Sequence, residues 1–260
     1  MGVLNITPDS FSDGGTLTDK DTVASRVRSM IDAGVDILDV GGESTRPFAE
    51  PVSEEEELRR VLPVIRLIRE MTDLPVSIDT TKADVAREAL AAGADMVNDI
   101  SALRHDPAMV EVVRGYVGPV IIMHMQGTPR TMQVAPRYTD VVAEIMEFFR
   151  ERITRLEEDG IDRQRIIIDP GIGFGKTLEH NLAILRNVEK FRELGCPVLI
   201  GHSRKSFLGN LLEIEVSGRD CATAMVSLHC AMNGADILRV HDVELTRQAV
   251  RLAAALRPNA

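Results

Sequence analysis

The chain has 260 residues with a formal net charge of -10 at pH 7, and 44% of its residues are hydrophobic. This composition is that of a globular protein, and the negative charge argues against a nucleic-acid or anionic-membrane partner because phosphate groups would be repelled. No apolar run approaches the ~18 residues of a membrane span, and the three cysteines contain no C-x-x-C pair, which indicates reduced thiols in a cytoplasm. An anionic ligand would need a local basic cluster.

Short β-branched runs recur along the chain, most of them separated by helical patterns. We count eight, at residues 2–7, 35–40, 75–79, 95–99, 118–124, 165–170, 197–203 and 236–241. This alternation is typical of repeated βα units and a parallel sheet. It predicts an α/β protein with one domain over 1–260, folded as a (β/α)8 TIM barrel whose eight parallel strands form a closed sheet. An open doubly wound sheet is the alternative.

Helix signals fill the segments between the runs. The first helix is predicted to end at Gly34, and the second begins with Ser53 and Glu56 at the spacing of a capping box. Pro63 predicts a kink in the middle of that second helix. Further helical patterns cover 81–95, 139–160, 177–195 and 242–256. Because the first run begins at residue 2, we expect either a shortened chain or a barrel bottom closed by means other than a preceding segment.

Polar residues stand where the predicted strands end, and in a barrel these carboxyl ends converge on the face that carries out chemistry. The residues are Asn5, Asp39, Asp79, Asn98, Asp99, His124, Asp169, the triplet 203–205, Arg239 and His241. Polar residues also cap the helices that follow, which is a sufficient explanation for Asp99 and Asp242. It does not explain Asp169, Lys205 and Arg239, which come directly after aliphatic runs.

Two groups of these residues differ in their chemistry. One supplies positive charge and forked donors suited to a phosphate or pyrophosphate, and it consists of Arg46, Lys205, Arg239 and His241. The other supplies acceptors and one amide suited to the edge of a heterocycle, and it consists of Asp79, Asn98 and Asp169. The site is therefore predicted to have an anion end and a planar end. For Asp79 alone, an ordinary ion pair is the alternative.

The glycine-rich stretch 169–177, DPGIGFGKT, resembles two phosphate-binding motifs but matches neither. Pro170 stands where a Walker loop requires glycine, and the spacing of Gly171, Gly173 and Gly175 misses the dinucleotide fingerprint by one residue. The stretch still predicts a backbone that approaches a flat ligand closely, with Phe174 as a wall.

The sequence contains no H-E-x-x-H or C-x-x-C element, so it does not predict a transition metal caged by protein. Mg²⁺ differs, because it keeps several waters and is held by substrate phosphates with one or two protein oxygens. Asn5 can supply one such oxygen.

Eight strings, spread in order over nearly the whole chain, resemble the dihydropteroate synthase family. They are MGVLNITPDSFSDGG, DVGGESTRP, SIDT, VNDIS, MHMQGTP, DPGIGFGK, GHSRKSFLG and RVHD. The resemblance implies a (β/α)8 enzyme of folate synthesis that joins 6-hydroxymethyl-7,8-dihydropterin pyrophosphate to p-aminobenzoate and releases pyrophosphate. It also implies Mg²⁺ as cofactor and a homodimer.

The resemblance implies a role for each matching residue. The pterin is expected to be held by Asp79, Asn98, Asp169 and Lys205, between walls formed by Ile100, Met123, Phe174 and Gly201. Pyrophosphate is expected at Asn5, Arg46, Arg239 and His241, with Asn5 acting through Mg²⁺. The p-aminobenzoate site is expected at Phe11, Thr45, Arg46, Pro47 and Ser206. The residues expected to carry catalysis are Asn5, Asp13, Lys205, Arg239 and His241.

Two loops carry more specific hypotheses. An arylamine is already nucleophilic at pH 7, so no strong general base is needed. The first loop is expected to close over the ligand and bring Asp13 toward a cation developing on the pterin, with Phe11 against the aryl ring. In the second loop the family usually has Gly after Pro47, and this chain has Phe48. Phe48 is either a tolerated loop change or a rearrangement of the p-aminobenzoate mouth, where sulfonamides also bind.

Two other functions remain open from the sequence. A pterin-dependent methyltransferase on a related barrel would share the contacts to the pterin edge but would not need the leaving-group set that includes Asn5, Arg46 and Arg239. A non-catalytic pterin-binding barrel would be expected to have lost its polar residues at the strand ends, and here they are present.

Overall fold

The structure is a computed structural model that describes residues 1–6, 20–44 and 49–256. Its strands all fall on the predicted runs, and only the second extends one residue beyond its run. They are β1 (Gly2–Asn5), β2 (Leu38–Gly41), β3 (Val76–Asp79), β4 (Met96–Asp99), β5 (Val120–Met123), β6 (Ile166–Asp169), β7 (Leu199–Ile200) and β8 (Ile237–Leu238). Within the described ranges no helix has both the length and the apolar character to cross a membrane.

The strands are parallel and pair in chain order. Strands β1 to β6 form one six-stranded sheet, and β7 pairs with β8 in a second sheet. Single parallel bridges connect the pair to the larger sheet on both sides, from Ile168 to Val198 and from Gly2 to Val240. The predicted α/β class with parallel strands is confirmed. The sequential strand order also differs from the orders of doubly wound sheets, which reverse at a switch point.

The register aligns the carboxyl ends of neighbouring strands. Asn5 pairs with Gly41, which pairs in turn with Asp79, and Asp79 pairs with Asn98. Further along the same sheet, Met123 of β5 pairs with Asp169 of β6. Asn5, Asp79 and Asn98, which are far apart in the chain, therefore lie at the same level of the sheet, and Asp169 lies two residues further along its strand.

Ten α-helices lie in the described part of the chain. They are α1 (Lys20–Asp32), α2 (Glu54–Met71), α3 (Ala83–Ala91), α4 (Met109–Arg114), α5 (Val141–Glu158), α6 (Leu178–Arg186), α7 (Val188–Phe191), α8 (Ser206–Leu212), α9 (Arg219–Met232) and α10 (Val243–Leu256). The side chain of Ser53 accepts from the Glu56 N–H at 3.3 Å, as its capping position predicts. Helix α2 continues through Pro63. The pattern over 177–195 forms two helices, since Asn187 leaves the helical conformation with φ -126°.

The core contains a large cluster and a smaller one built mainly from strand residues. The large cluster packs the apolar faces of the helices against the strands. The smaller cluster draws one side chain from each of four successive strands, and Met1, Ile37 and Ile237 pack with them; the strand residues are Met96, Ile121, Ile167 and Leu199. Because successive side chains of a strand point to opposite faces, these residues lie on the face of the sheet opposite the one packed in the large cluster.

Candidate active site

Arg239 forms the centre of the polar cluster at the strand ends. It directly follows β8, and its Nε donates to Asp39 Oδ2 at 2.6 Å while a terminal nitrogen donates to Asp79 Oδ2 at 2.5 Å. The Asn98 amide lies 3.4 Å from the other oxygen of Asp39. Residues in β2 and β3 thus meet at the Arg239 guanidinium group, and Asn98 of β4 joins the cluster through Asp39. Asp39 was expected at a strand end from the sequence, but its role as a partner of Arg239 was not predicted.

Charge in this cluster is set by competition between burial and ion pairing. Burial alone would lower the pKa of Arg239, but the Asp39 and Asp79 carboxylates outweigh it and raise that pKa, so Arg239 stays charged. Burial raises the pKa of Asp79, and the Arg239 guanidinium opposes the rise. The two carboxylates are buried and the guanidinium group is 21% exposed, so the charge of each partner is stabilised mainly by the other.

Asp169 and Arg239 open onto the same side of the sheet. A Cβ placed on Gly201 would lie 3.4 Å from Asp169 Oδ2 and 4.0 Å from the Arg239 side chain. The other carboxylate oxygen of Asp169 accepts from the Gly171 N–H at 2.8 Å. Burial raises the pKa of Asp169, and the Gly171 N–H, Lys205 and Arg239 oppose the rise. The predicted anion and heterocycle groups thus lie around one mouth.

Asn5 faces the same cluster from β1. A Cβ on Gly41 would lie 3.6 Å from Asp79 Oδ2 and 3.8 Å from Asn5 Oδ1, so the two side chains approach each other over a glycine. Within the described residues no group of three or more His, Cys, Asp or Glu side chains is arranged to hold a metal ion. Asn5 contributes an amide oxygen, half-buried and next to a carboxylate.

An apolar wall stands beside the polar cluster. The expected wall residues Ile100, Met123 and Phe174 pack together in a cluster separate from the main core, and Met125 and Met132 complete it. The Lys205 ammonium lies 4.0 Å from the centroid of the Phe174 ring, a cation–π contact. The two additional methionines were missed because no strand or helix periodicity points to them.

A buried lysine fixes the loop that carries Phe174. Lys176 is 3% exposed, and its ammonium donates to the Phe174 carbonyl oxygen at 2.9 Å and lies 3.1 Å from His124 Nδ1. Burial lowers the pKa of Lys176 to about 7, with Asp169 opposing the shift. Burial and the Lys176 charge lower the pKa of His124 to about 2, so its ring is neutral and accepts through Nδ1. The sequence places Lys176 in the glycine-rich stretch, but no pattern there predicts that it is buried or that it contacts His124.

The charge of His241 differs from the sequence expectation, which placed it among the positive groups. Burial and the charges of Arg204, Arg239 and Arg26 lower its pKa to about 3, so the ring is neutral at pH 7. Its Nδ1 lies 2.9 Å from the Ser203 hydroxyl. The ring offers a hydrogen bond to an anion, and a polyanion bound beside it would raise its pKa.

The remaining expected residues fall into two sets. Ser206 is the first residue of α8 and is exposed next to Lys205. The other set lies outside the described residues and consists of Phe11, Asp13, Thr45, Arg46, Pro47 and Phe48.

Asp99 is a local cap as expected, since its carboxylate accepts from the Ser101 N–H at 2.6 Å. Asp242 likewise accepts from the Leu245 N–H at 2.9 Å.

Comparison with known proteins identifies the family. The model of a family described as "Pterin binding enzyme" matches residues 1–241. The chain is 46% identical over 257 residues to the dihydropteroate synthase of Synechocystis sp., covering 98% of this chain and 89% of the relative. The chain belongs to the dihydropteroate synthase family. It is accordingly an enzyme, a transferase of folate biosynthesis.

Two solved structures of this family are close in shape. Dihydropteroate synthase from Xanthomonas albilineans with 4-aminobenzoic acid has a TM-score of 0.92 and 46% identity, covering 99% of this chain and 93% of that one. The same enzyme in complex with 7,8-dihydropteroate has a TM-score of 0.89 and 43% identity, with the same two coverages.

Proposed function

We propose that this chain condenses 6-hydroxymethyl-7,8-dihydropterin pyrophosphate with p-aminobenzoate to give 7,8-dihydropteroate and pyrophosphate. The observation that carries the proposal is the contact of Arg239 with Asp79 beside Asp169, which brings a cation for the leaving group next to buried acceptors for a heterocycle. The relatives bound to 4-aminobenzoic acid and 7,8-dihydropteroate support the same substrates here.

The pterin end is assigned to the buried acceptors and the apolar wall. Asp169, Asp79 and the Asn98 amide match the N–H and C=O groups along a pterin edge. Ile100 and Met123 offer a flat apolar surface for the ring. Lys205, held over the Phe174 ring, supplies a donor to the ring system. The buried carboxylates disfavour any ligand that lacks N–H donors, since their lone pairs would then stay unpaired.

The pyrophosphate end is assigned to Arg239, His241 and Asn5. Oxygen ligands suit Mg²⁺, and the Asn5 amide oxygen fits an ion held mainly by water and the substrate's phosphates. When bound, Mg²⁺ would neutralise charge on the leaving pyrophosphate. His241, neutral at pH 7, hydrogen-bonds the anion, and Arg239 supplies the charge. Arg46, expected at this end, lies outside the described residues.

The chemistry requires charge stabilisation more than proton transfer. The amine nitrogen of p-aminobenzoate forms a bond to the pterin methylene carbon, the bond from that carbon to the pyrophosphate oxygen breaks, and the amine loses one proton to water. Positive charge on the pterin and negative charge on the leaving group develop together. Fixed donors in a dry site lower such a barrier, with single donors worth about 3–4 kcal/mol in other enzymes.

We also propose that the chain forms one pterin-binding domain whose eight strands close into a barrel. The single bridges on both sides of the β7–β8 pair support closure, because they connect that pair to β6 and to β1. The interior cluster of Met96, Ile121, Ile167 and Leu199 also supports it, since an open sheet would have no such enclosed face.

A cytoplasmic homodimer is the proposed form of the enzyme. Helices α9 and α10 pack together and leave apolar side chains exposed; they are Met225, Met232, Val250, Leu252 and Leu256. An exposed apolar face of this kind supports a contact between two copies. Three free cysteines, two of them buried, support a reducing compartment. A Leu252→Glu variant tested by sedimentation should shift the enzyme toward monomer.

The function is tested by incubating the purified chain with the pterin pyrophosphate and p-aminobenzoate, with and without Mg²⁺, and measuring pyrophosphate and dihydropteroate. We expect both products in equal amounts, only when both substrates and Mg²⁺ are present. Asp169→Asn should reduce the rate at least about 100-fold, the scale of losing a preorganised group. Pterin binding without product would point to a non-catalytic barrel and overturn the proposal.

A further inference from the structure

A cavity of about 950 Å³ lies between α1 and α10, next to the candidate active site. Residues between 25 and 34, in α1 and just after it, line one side of the cavity. Residues between 242 and 251 line the other side, and Arg204 and His241 also line it. The first and last helices of the ring are thus separated by a groove. This groove has no role in the proposed reaction.

Positive charge is concentrated in the groove. Its lining contains Arg26, Arg28, Arg204, Arg247 and Arg251, against three carboxylates, Asp32, Asp242 and Glu244. The chain as a whole carries a net charge of -10. The groove therefore has the opposite sign to the rest of the surface, and guanidinium groups are the preferred donors for phosphate oxygens.

Two of these side chains already have partners, and Arg26, Arg28 and Arg251 form no ion pair with any described residue. Arg204 forms a two-bond pair with Asp220 at 2.7 and 2.8 Å, and Arg247 donates to the Gly34 carbonyl oxygen at the end of α1. Arg26 forms no ion pair with any residue that the structure describes. Desolvation and the charge of Arg204 both lower the pKa of Arg26, and no described carboxylate opposes them.

Two guanidinium groups that face each other repel unless an anion lies between them. Arg26 and Arg204 both line the groove, and the charge of Arg204 lowers the pKa of Arg26, so an anion bound near Arg26 would be stabilised by both groups. His241 lines the groove and also belongs to the proposed pyrophosphate end of the active site, so the two sites share one residue.

We propose that the groove between α1 and α10 is a second anion-binding site, which takes the inorganic pyrophosphate released at Arg239 and His241. This inference rests on the proposed function, since that reaction supplies the pyrophosphate. Arg26 and Arg251 are the groups that bind it there, with Arg204 at the inner end. On a protein with net negative charge, a leaving polyanion is repelled by most of the surface, and a basic groove gives it a favourable path to solvent.

Direct binding of pyrophosphate tests the proposal without any turnover. Isothermal titration of the full chain with inorganic pyrophosphate and Mg²⁺ is expected to give two molecules bound per chain. The double variant Arg26→Gln with Arg251→Gln should keep one and weaken the other by more than about tenfold, the scale of losing two charge-assisted contacts. A matched control, Arg66→Gln with Arg186→Gln, removes the same charge from exposed arginines outside the groove and should still bind two.

One molecule bound per chain in the wild type would overturn the inference, as would two bound with unchanged affinity in the groove variant. Thermal unfolding of all three proteins verifies that each is folded, since the four arginines are exposed. Failure of the proposed function gives a different result, because no protein would then form pyrophosphate from the two substrates, whatever the titration shows.

Discussion

The guanidinium group of Arg239 donates to the carboxylate of Asp79 at 2.5 Å, although 160 residues separate them in the chain. One residue directly follows β8 and the other ends β3, so the contact spans the mouth of the sheet. The same guanidinium also holds Asp39, which is fully buried. Stability and the candidate site therefore depend on the same three side chains.

Replacing Arg239 by Gln should destabilise the fold strongly, because it leaves two buried carboxylates without their counter-charge. We expect the free energy of unfolding in urea to fall by about 3–5 kcal/mol, the cost of breaking a buried pair. The exposed pair of Arg192 with Asp236 is the matched control, and Arg192→Gln should cost at most about 1 kcal/mol. Equal losses in the two variants would mean that Arg239 is not a structural centre.

A substitution at Gly171 should damage the loop between β6 and α6 through a clash. Gly171 has φ +72°, and a Cβ there would overlap the carbonyl oxygen of His124. Gly195 has the same φ, but a Cβ there would meet nothing within 4 Å. Gly195→Ala should cost only the left-handed strain, about 1–2 kcal/mol. Gly171→Ala should cost clearly more and raise the KM for the pterin substrate; matching unfolding energies would show that the loop absorbs the clash.

Lys176 is expected to act as a positioning residue for the pterin wall. Its ammonium holds the Phe174 carbonyl and the His124 ring, so Lys176→Met should loosen the Phe174 loop. The KM for the pterin substrate should rise about tenfold, the scale of one charge-assisted hydrogen bond, while the KM for p-aminobenzoate changes little. Lys190→Met, at an exposed position of α7, is the control. A parallel rise in both KM values would indicate general damage instead.

His202 should make stability depend on pH in the acid range. Its ring is fully buried, with Nε2 3.0 Å from the Thr223 carbonyl oxygen, and burial lowers its pKa to about 4. The unfolded ring has a pKa near 6.5. Stability is therefore fully present above about pH 6.5 and is lost as the pH falls toward 4, by an amount on the order of 3 kcal/mol.

The measurement is the difference in unfolding free energy between wild type and His202→Gln, taken from pH 7 to pH 4. That difference should shrink as the pH falls, because only the wild type has the buried ring to protonate. A constant difference over this range would mean that the His202 ring titrates normally when folded.

Local patterns in the sequence predicted the strands well. They did not predict roles that depend on contacts between residues far apart in the chain. Each strand is a short β-branched run, and such a run needs no distant partner to be recognised. The position of Asn5, Asp79 and Asp169 at the strand ends also follows from the runs themselves. The role of Asp39 does not, because its partner Arg239 lies 200 residues away in the chain and is brought to it only by the fold.

The charge state of His241 could not be predicted for the same reason. Its pKa depends on burial and on Arg26 and Arg204, which are brought near it only by the fold. The contact between Lys176 and His124 likewise joins distant parts of the chain, because His124 follows β5 and Lys176 lies in the loop after β6. Residues whose role is set by their own position in the chain were predictable, and those whose role is set by a distant neighbour were not.

The central claim is that the heterocycle end and the anion end form one site at the strand ends. The crystal structure of the chain with the pterin pyrophosphate and Mg²⁺ bound, in the absence of p-aminobenzoate, tests it most directly. We expect the pterin ring at Asp169 and Asn98 against Phe174, with its pyrophosphate at Arg239 and His241. A pterin bound away from Asp169, or a pyrophosphate directed away from Arg239, would contradict the account.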